Sequence, residues 1–190
     1  MNMAVTDAPA PDDIVDLLVK QHAQIRDLFL LVTCSSSERR RESFEDLVRL
    51  LSVHEVAEEE IVHPVARRTI DGGEGIVQDR LNEERTAKAI LAELEAMDTE
   101  DPRFLAVLNQ LRGDVLTHAR AEERYEFQRL RAEFGDTQRR GLAAAVRAAE
   151  AIAPTHPRPG MESPVQNLLA GPILGITDRV RDLIRNAMKP

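Results

Sequence analysis

The sequence predicts an all-α protein, an up-down-up-down four-helix bundle with additional C-terminal helices. Three observations lead there. The 190 residues are rich in Ala, Leu, Glu and Arg, which are strong helix formers, and aromatics make up only 3% with no Trp. Four long apolar stripes recur at helical spacing, each closed by a short break. No segment alternates apolar and polar residues in the way a half-buried strand does.

Each element follows from its own residues. Residues 1–11 are Ala, Pro and Asp without periodicity and read as a flexible leader. The bundle is expected over residues 12–135. Asp12 or Asp13 caps the first helix, whose stripe is Ile14, Leu17, Leu18, Ile25, Leu28 and Phe29, ending near Thr33 to Ser36. Ser37 opens the second, with Phe44, Leu47, Val48, Leu51, Ile61 and Val65 inward. Pro64 kinks or frays that helix late, and Asp71-Gly72-Gly73 breaks it. The third runs from about Gly75 to Met97 on Ile76, Leu81, Ala87, Leu91 and Leu94. After a short turn, Asp101 caps the fourth with Pro102 in its first position. Phe104, Leu108, Leu111, Val115, Phe127 and Leu130 mark its core face, and Gly135 ends it. Short connections of this kind make neighbouring helices antiparallel.

A fifth, Ala-rich helix is expected over residues 136–153, capped by Asp136. Residues 154–164, with four prolines and one glycine, form an extended linker. Residues 165–190 make a weakly amphipathic helical appendage on the outside of the bundle. Gly171-Pro172 interrupts it, and Asp178 and Asp182 offset its arginines, which argues against a membrane-surface role.

Charge and cysteine content narrow the function. The net charge is −8, and an acidic chain repels phosphate backbones, so nucleic acid is not an expected partner. The single cysteine, Cys34, excludes an intramolecular disulfide and any multi-Cys zinc site. There is no apolar run long enough to span a membrane and no signal-peptide pattern, so a cytoplasmic location is expected.

The chemistry lies in a repeat. His54 and Glu58 are four residues apart on the second helix, and His118 and Glu122 repeat the spacing on the fourth. Residues i and i+4 share one helical face, so an ion between helices can take an imidazole nitrogen and a carboxylate oxygen from each. Such donors suit iron, manganese or zinc. His22 in the first helix and Glu84 in the third are the best donors from the other two. A lone mid-helix histidine is more often a surface or satisfied core residue, and for Glu84 the adjacent Glu83 or a plain solvated face competes. It is the two copies at matching depth, with a third mid-helix histidine, that favour a metal site.

These residues resemble the hemerythrin-like family, also called the HHE cation-binding domain, over about residues 12–133. That family carries a histidine in helix one, His-x-x-x-Glu in helix two, a histidine in helix three and His-x-x-x-Glu in helix four. His22, His54, Glu58, His118 and Glu122 fall on the pattern. The resemblance implies a four-helix bundle with two iron ions in an oxo- or hydroxo-bridged centre, with Glu58 and Glu122 as bridging carboxylates. In helix three the sequence departs, placing Glu84 where the histidine is expected. Tyr125 lies three residues after Glu122 and seven after His118, so it faces the metal or is a core tyrosine near the bundle end. His63 is nine residues from His54, half a turn out of phase on an ideal helix, unless a kink at Pro64 brings it round. Fewer histidines and more anionic oxygens favour ferric iron, hence peroxide chemistry over reversible O2 carriage. The expected function is therefore catalase-like reaction with H2O2, with O2 or NO binding, sensing or scavenging as the alternative.

Overall fold

A computed structural model describes residues 12–151, 153–157 and 186. The leader 1–11, most of the linker 154–164 and nearly all of the tail 165–190 lie outside the described residues. The elements are α1 (Ile14–Cys34), α2 (Ser37–Ala57), π1 (Glu58–Val62), α3 (His63–Thr69), α4 (Gly73–Glu95), α5 (Phe104–Glu122), π2 (Glu123–Phe127), α6 (Gln128–Glu133) and α7 (Asp136–Glu150). The described residues are all-helical, without a strand.

The ends of these helices follow from local chemistry. Asp13 caps α1, its carboxylate accepting from the Val15 and Asp16 amides at 2.9 and 3.0 Å. Gly72 adopts the left-handed conformation at φ 73°, and a Cβ on Gly73 would collide with the Ala66 carbonyl. Both glycines are therefore needed for the tight turn from α3 into α4. Two caps differ from expectation. Helix α5 starts at Phe104 rather than at Pro102, with the Asp101 carboxylate holding the Arg103 amide at 2.8 Å. Helix α7 is capped by Gly135, whose amide donates to the Gln138 side chain at 3.0 Å, rather than by Asp136. Cys34 is an exposed thiol at the end of α1.

The second and fourth rods continue without a break in right-handed backbone through π1 and π2. In π1 the His63 amide donates to the Glu58 carbonyl, an i→i+5 bond. Such a wide turn is a common device at functional sites. Pro64 follows directly in the first turn of α3, so the chain accommodates its ring by the π turn rather than by fraying or a sharp kink.

The π turns lie beside a polar layer that separates two apolar cores. One core joins Leu18, Ala57, Ile61, Phe127 and Leu130 to Leu142 and Val146 of α7. The other joins Ile25, Phe29, Leu47 and Leu51 to Leu91, Phe104 and Leu111. Between them the interior is occupied by His22, His54, Glu58, Glu84 and Glu122, each at most 4% exposed. Charged side chains are almost never buried so fully unless they are paired or coordinate an ion.

Candidate metal centre

Five elements supply the layer. His22 comes from α1, His54 from α2, Glu58 from the first residue of π1, Glu84 from α4, and His118 and Glu122 from α5. Their side-chain atoms converge in two groups, each with donor atoms within 4.8 Å of one another. One group is His22, His54, Glu58 and Glu122. The other is Glu58, Glu84 and His118. Glu58 is common to both. Its Oε1 lies 3.2 Å from His54 Nε2 and 4.0 Å from His22 Nε2, while its Oε2 lies 3.9 Å from His118 Nε2. Glu122 Oε2 lies 3.3 Å from His22 Nε2 and 3.4 Å from His118 Nε2. Donors that each sit about 2 Å from one ion are spaced like this.

Three observations test whether the residues fit a metal. First, the converging atoms are orphans: Nε2 of His22, His54 and His118, both oxygens of Glu58 and Glu122, and Glu84 Oε2 are buried without a hydrogen bond. Second, the opposite nitrogen of each of these histidines is anchored. His22 Nδ1 lies 2.9 Å from Glu123 Oε1, His54 Nδ1 lies 2.8 Å from Gln21 Oε1, and His118 Nδ1 lies 3.0 Å from Glu83 Oε2. An acceptor at Nδ1 keeps the proton there and leaves the Nε2 lone pair for an ion, the usual arrangement around metal-ligating histidines. Third, the electrostatics call for a cation. Burial, together with the neighbouring His22, brings the His54 imidazole down to about 3, so it is a neutral donor. Burial and the adjacent Glu122 hold Glu58 well above the usual carboxylate range. Burial opposes ionisation of Glu122 too, but His118 and His22 beside it hold it well below that range. The residues fit a metal site.

A narrow cavity of about 20 Å³ borders the layer. Its walls are apolar where Ile25, Leu51, Ala87 and Val115 line it, and polar where it meets His118 and Glu58. Glu55 also lines it, and burial pushes its carboxyl up to about 8 although the Lys88 ammonium lies 3.9 Å away. Lys88 donates to Glu59 as well, and burial raises Glu59 to about 7.

Two expected site residues are placed differently. Tyr125 is 49% exposed and lies outside both donor groups, with the Arg124 guanidinium 5.3 Å from its ring centroid. The expectation that it faces the metal assumed α-helical periodicity through residue 125. Tyr125 in π2 is instead turned out, while Glu126, four residues after Glu122, is fully buried on the inward side. His63 does reach the interior, at 1% exposure, where π1 widens the turn between Glu58 and His63 and shifts the helical phase. It belongs to neither donor group and lies 2.6 Å from Glu84.

Sequence reasoning missed Gln21, Glu123 and Glu126, and named Glu83 only as a rival to Glu84. Gln21, Glu83 and Glu123 each stand directly beside a donor in sequence, which was the available signal. On a Glu-rich helix that signal looks the same as a solvated face.

The fold and the site together define a metal-binding helical bundle. The profile of the hemerythrin HHE cation binding domain matches residues 13–130, and the chain belongs to that family. The chain is 29% identical over 150 residues to a protein named DNA nickase from Nostoc sp. (strain PCC 7120 / SAG 25.82 / UTEX 2576). That match covers 77% of this chain but 42% of the relative, so the chain spans about two-fifths of that relative's length. Its fold is similar to a crystal structure of a hemerythrin HHE cation binding domain-containing protein from Mycobacterium kansasii, with a TM-score of 0.64 at 15% identity. The superposition covers 94% of this chain and all of the other. Among the described residues, no helix is long and apolar enough to cross a membrane.

Proposed function

We propose that the chain is a non-haem di-iron protein that decomposes hydrogen peroxide in a catalase-like reaction. The observation that carries this is the pair of donor groups joined through Glu58, with anionic oxygen donors matching histidines in number: Glu58, Glu84 and Glu122 against His22, His54 and His118. Iron bound there would supply Lewis acidity and redox cycling, and hard anionic donors favour its ferric state.

The chain's own residues do the rest. Gln21, Glu83 and Glu123 orient the histidines. The apolar wall of Ile25, Leu51, Ala87 and Val115 limits the cavity to small ligands and excludes bulk water. Glu55, which lines the cavity and is protonated near neutral pH, would hold a proton beside a small ligand that enters it. Because Tyr125 faces outward, the peroxide reading rests on Glu84 and the donor set rather than on a phenolate. Iron-loaded protein is expected to evolve O2 from H2O2 faster than the same amount of free iron. Equal rates would remove the reading.

The alternative is a module that binds, senses or scavenges O2 or NO without turnover, and the small apolar cavity favours it. A reversible visible band on adding O2 to the reduced protein, with no peroxide turnover, would select it. The relative's name raises a further reading with DNA as substrate, which the net charge of −8 opposes. Nicking of supercoiled plasmid by metal-chelated protein would favour that reading over ours.

A further inference from the structure

Of the four histidines inside the bundle, His63 alone belongs to neither donor group. Its surroundings give it a different task. His63 Nε2 lies 2.6 Å from Glu84 Oε1, with each side chain 1% exposed. The other ring nitrogen, Nδ1, lies 3.9 Å from Glu126 Oε2.

The three inward histidines share one plan. One nitrogen is anchored by an acceptor from a neighbouring helix, and the other is left without a hydrogen bond for an ion. Glu84 follows the same plan with the chemistry reversed. A carboxylate ligand needs a donor as its anchor, because an ionised carboxylate only accepts. The His63 Nε2–H donates to Glu84 Oε1, and Glu84 Oε2 is left buried with no hydrogen bond. A hydrogen bond to an ionised carboxylate is short and roughly twice as strong as a neutral one. In this interior it fixes the carboxylate's rotation and therefore which oxygen faces Glu58 and His118. Only the π turn makes this possible. The i→i+5 bond from the His63 amide to the Glu58 carbonyl places His63 one wide turn beyond Glu58 on the inward face.

We propose that His63 is a positioning residue that anchors Glu84 as a metal ligand, the two acting as one unit in place of a ligand histidine with its acceptor. This rests on the reading of Glu84 as a ligand. The test is anaerobic titration of the full chain with Fe(II), and with Co(II) as a spectroscopic probe, reading ions bound per chain and the Co(II) visible spectrum. Loss of an outer anchor weakens metal affinity by roughly 10–100-fold. His63→Ala and His63→Met are expected to weaken the ion on the Glu84 side by that factor and to alter the Co(II) spectrum. His63→Gln, whose amide also donates, is expected to bind near wild type. In a Glu84→Ala background, His63→Ala should add nothing.

The outcomes separate the two claims. If Glu84→Ala leaves stoichiometry and spectrum unchanged, the ligand reading is wrong. If Glu84→Ala loses an ion while His63→Met binds like wild type, the positioning role alone is overturned. It is equally overturned if the Gln and Met variants bind alike, or if the His63 and Glu84 effects multiply independently in the double variant. Should His63→Ala fail to fold, the comparison of Gln with Met decides.

Discussion

The inward histidines differ from surface histidines in what holds their second nitrogen. For His54 the anchor is Gln21, itself held at 2.5 Å by Glu150 of α7. Gln21→Ala is therefore expected to weaken metal binding by roughly 10–100-fold, read by competition against a chelator of known affinity. The double variant His54→Ala, His118→Ala removes donors from both groups and should abolish binding; elemental analysis showing unchanged iron would contradict the site. Tyr125→Phe should leave the visible spectrum of the iron-loaded protein as it is, since the phenol faces solvent, and a lost band would return the residue to the metal. At this scale the four residues of the repeated motif were readable because i, i+4 spacing fixes a shared face, whereas His22 and Glu84 were suggested only as the best donors on the remaining two helices and by the family pattern. Glu126, four residues after Glu122, was open to the same i, i+4 reading and was passed over; the role of His63 was not legible, because it depends on a local change of helical period that leaves no compositional mark.

That change of period belongs to the element scale. Through π1 and π2 the two motif-bearing rods alter their register just past the donors, so one α-helical reading cannot serve both halves. Pro64 gave a partial signal for π1. Nothing comparable precedes π2, where the run Glu123–Phe127 looks like ordinary helix. Elsewhere local chemistry was readable: Asp13 caps α1 as its sequence suggests. Its carboxyl also pairs with Arg139 of α7 at 2.6 Å. Partial burial works to raise this carboxyl, but Arg139 and the capped amides outweigh it and hold it below its ordinary value of 3.8. The folded value being depressed, the stabilisation is present above pH 3.8 and is lost as pH falls through the lower folded value. Asp13→Ala should therefore cost about 1 kcal/mol at neutral pH, the usual effect of a lost cap, and the cost should vanish in strong acid. Denaturation at pH 7 and pH 2 would check both limbs.

For the whole molecule, the polar layer divides what would otherwise be one hydrophobic core. Each half is well packed, with Phe29, Phe104, Leu130 and Leu142 fully buried. The middle holds converging donor atoms that lack hydrogen bonds. Stripping the metal should thus lower the melting temperature and speed amide exchange around residues 54–63 and 118–127 more than in either apolar half. Uniform protection after chelation would refute this. The all-helical class was legible from composition and stripes. The contribution of α7 to the centre was not, because the Glu150–Gln21–His54 chain joins residues that no local pattern connects. Leu142, fully buried in α7, should cost about 2–5 kcal/mol on replacement by Ala.

The reach of the ligand set along the chain has a consequence for biosynthesis. The donors begin at His22 and close only with Glu122, and the support for His54 arrives with Glu150. A chain emerging N-terminus first at about 5–20 residues per second would expose a half-assembled acidic interior for several seconds before an ion could be captured. Capture of an ion that draws on both donor groups therefore has to wait until Glu122 has emerged. Cells short of the bound metal would be expected to accumulate chains whose central layer is unfilled.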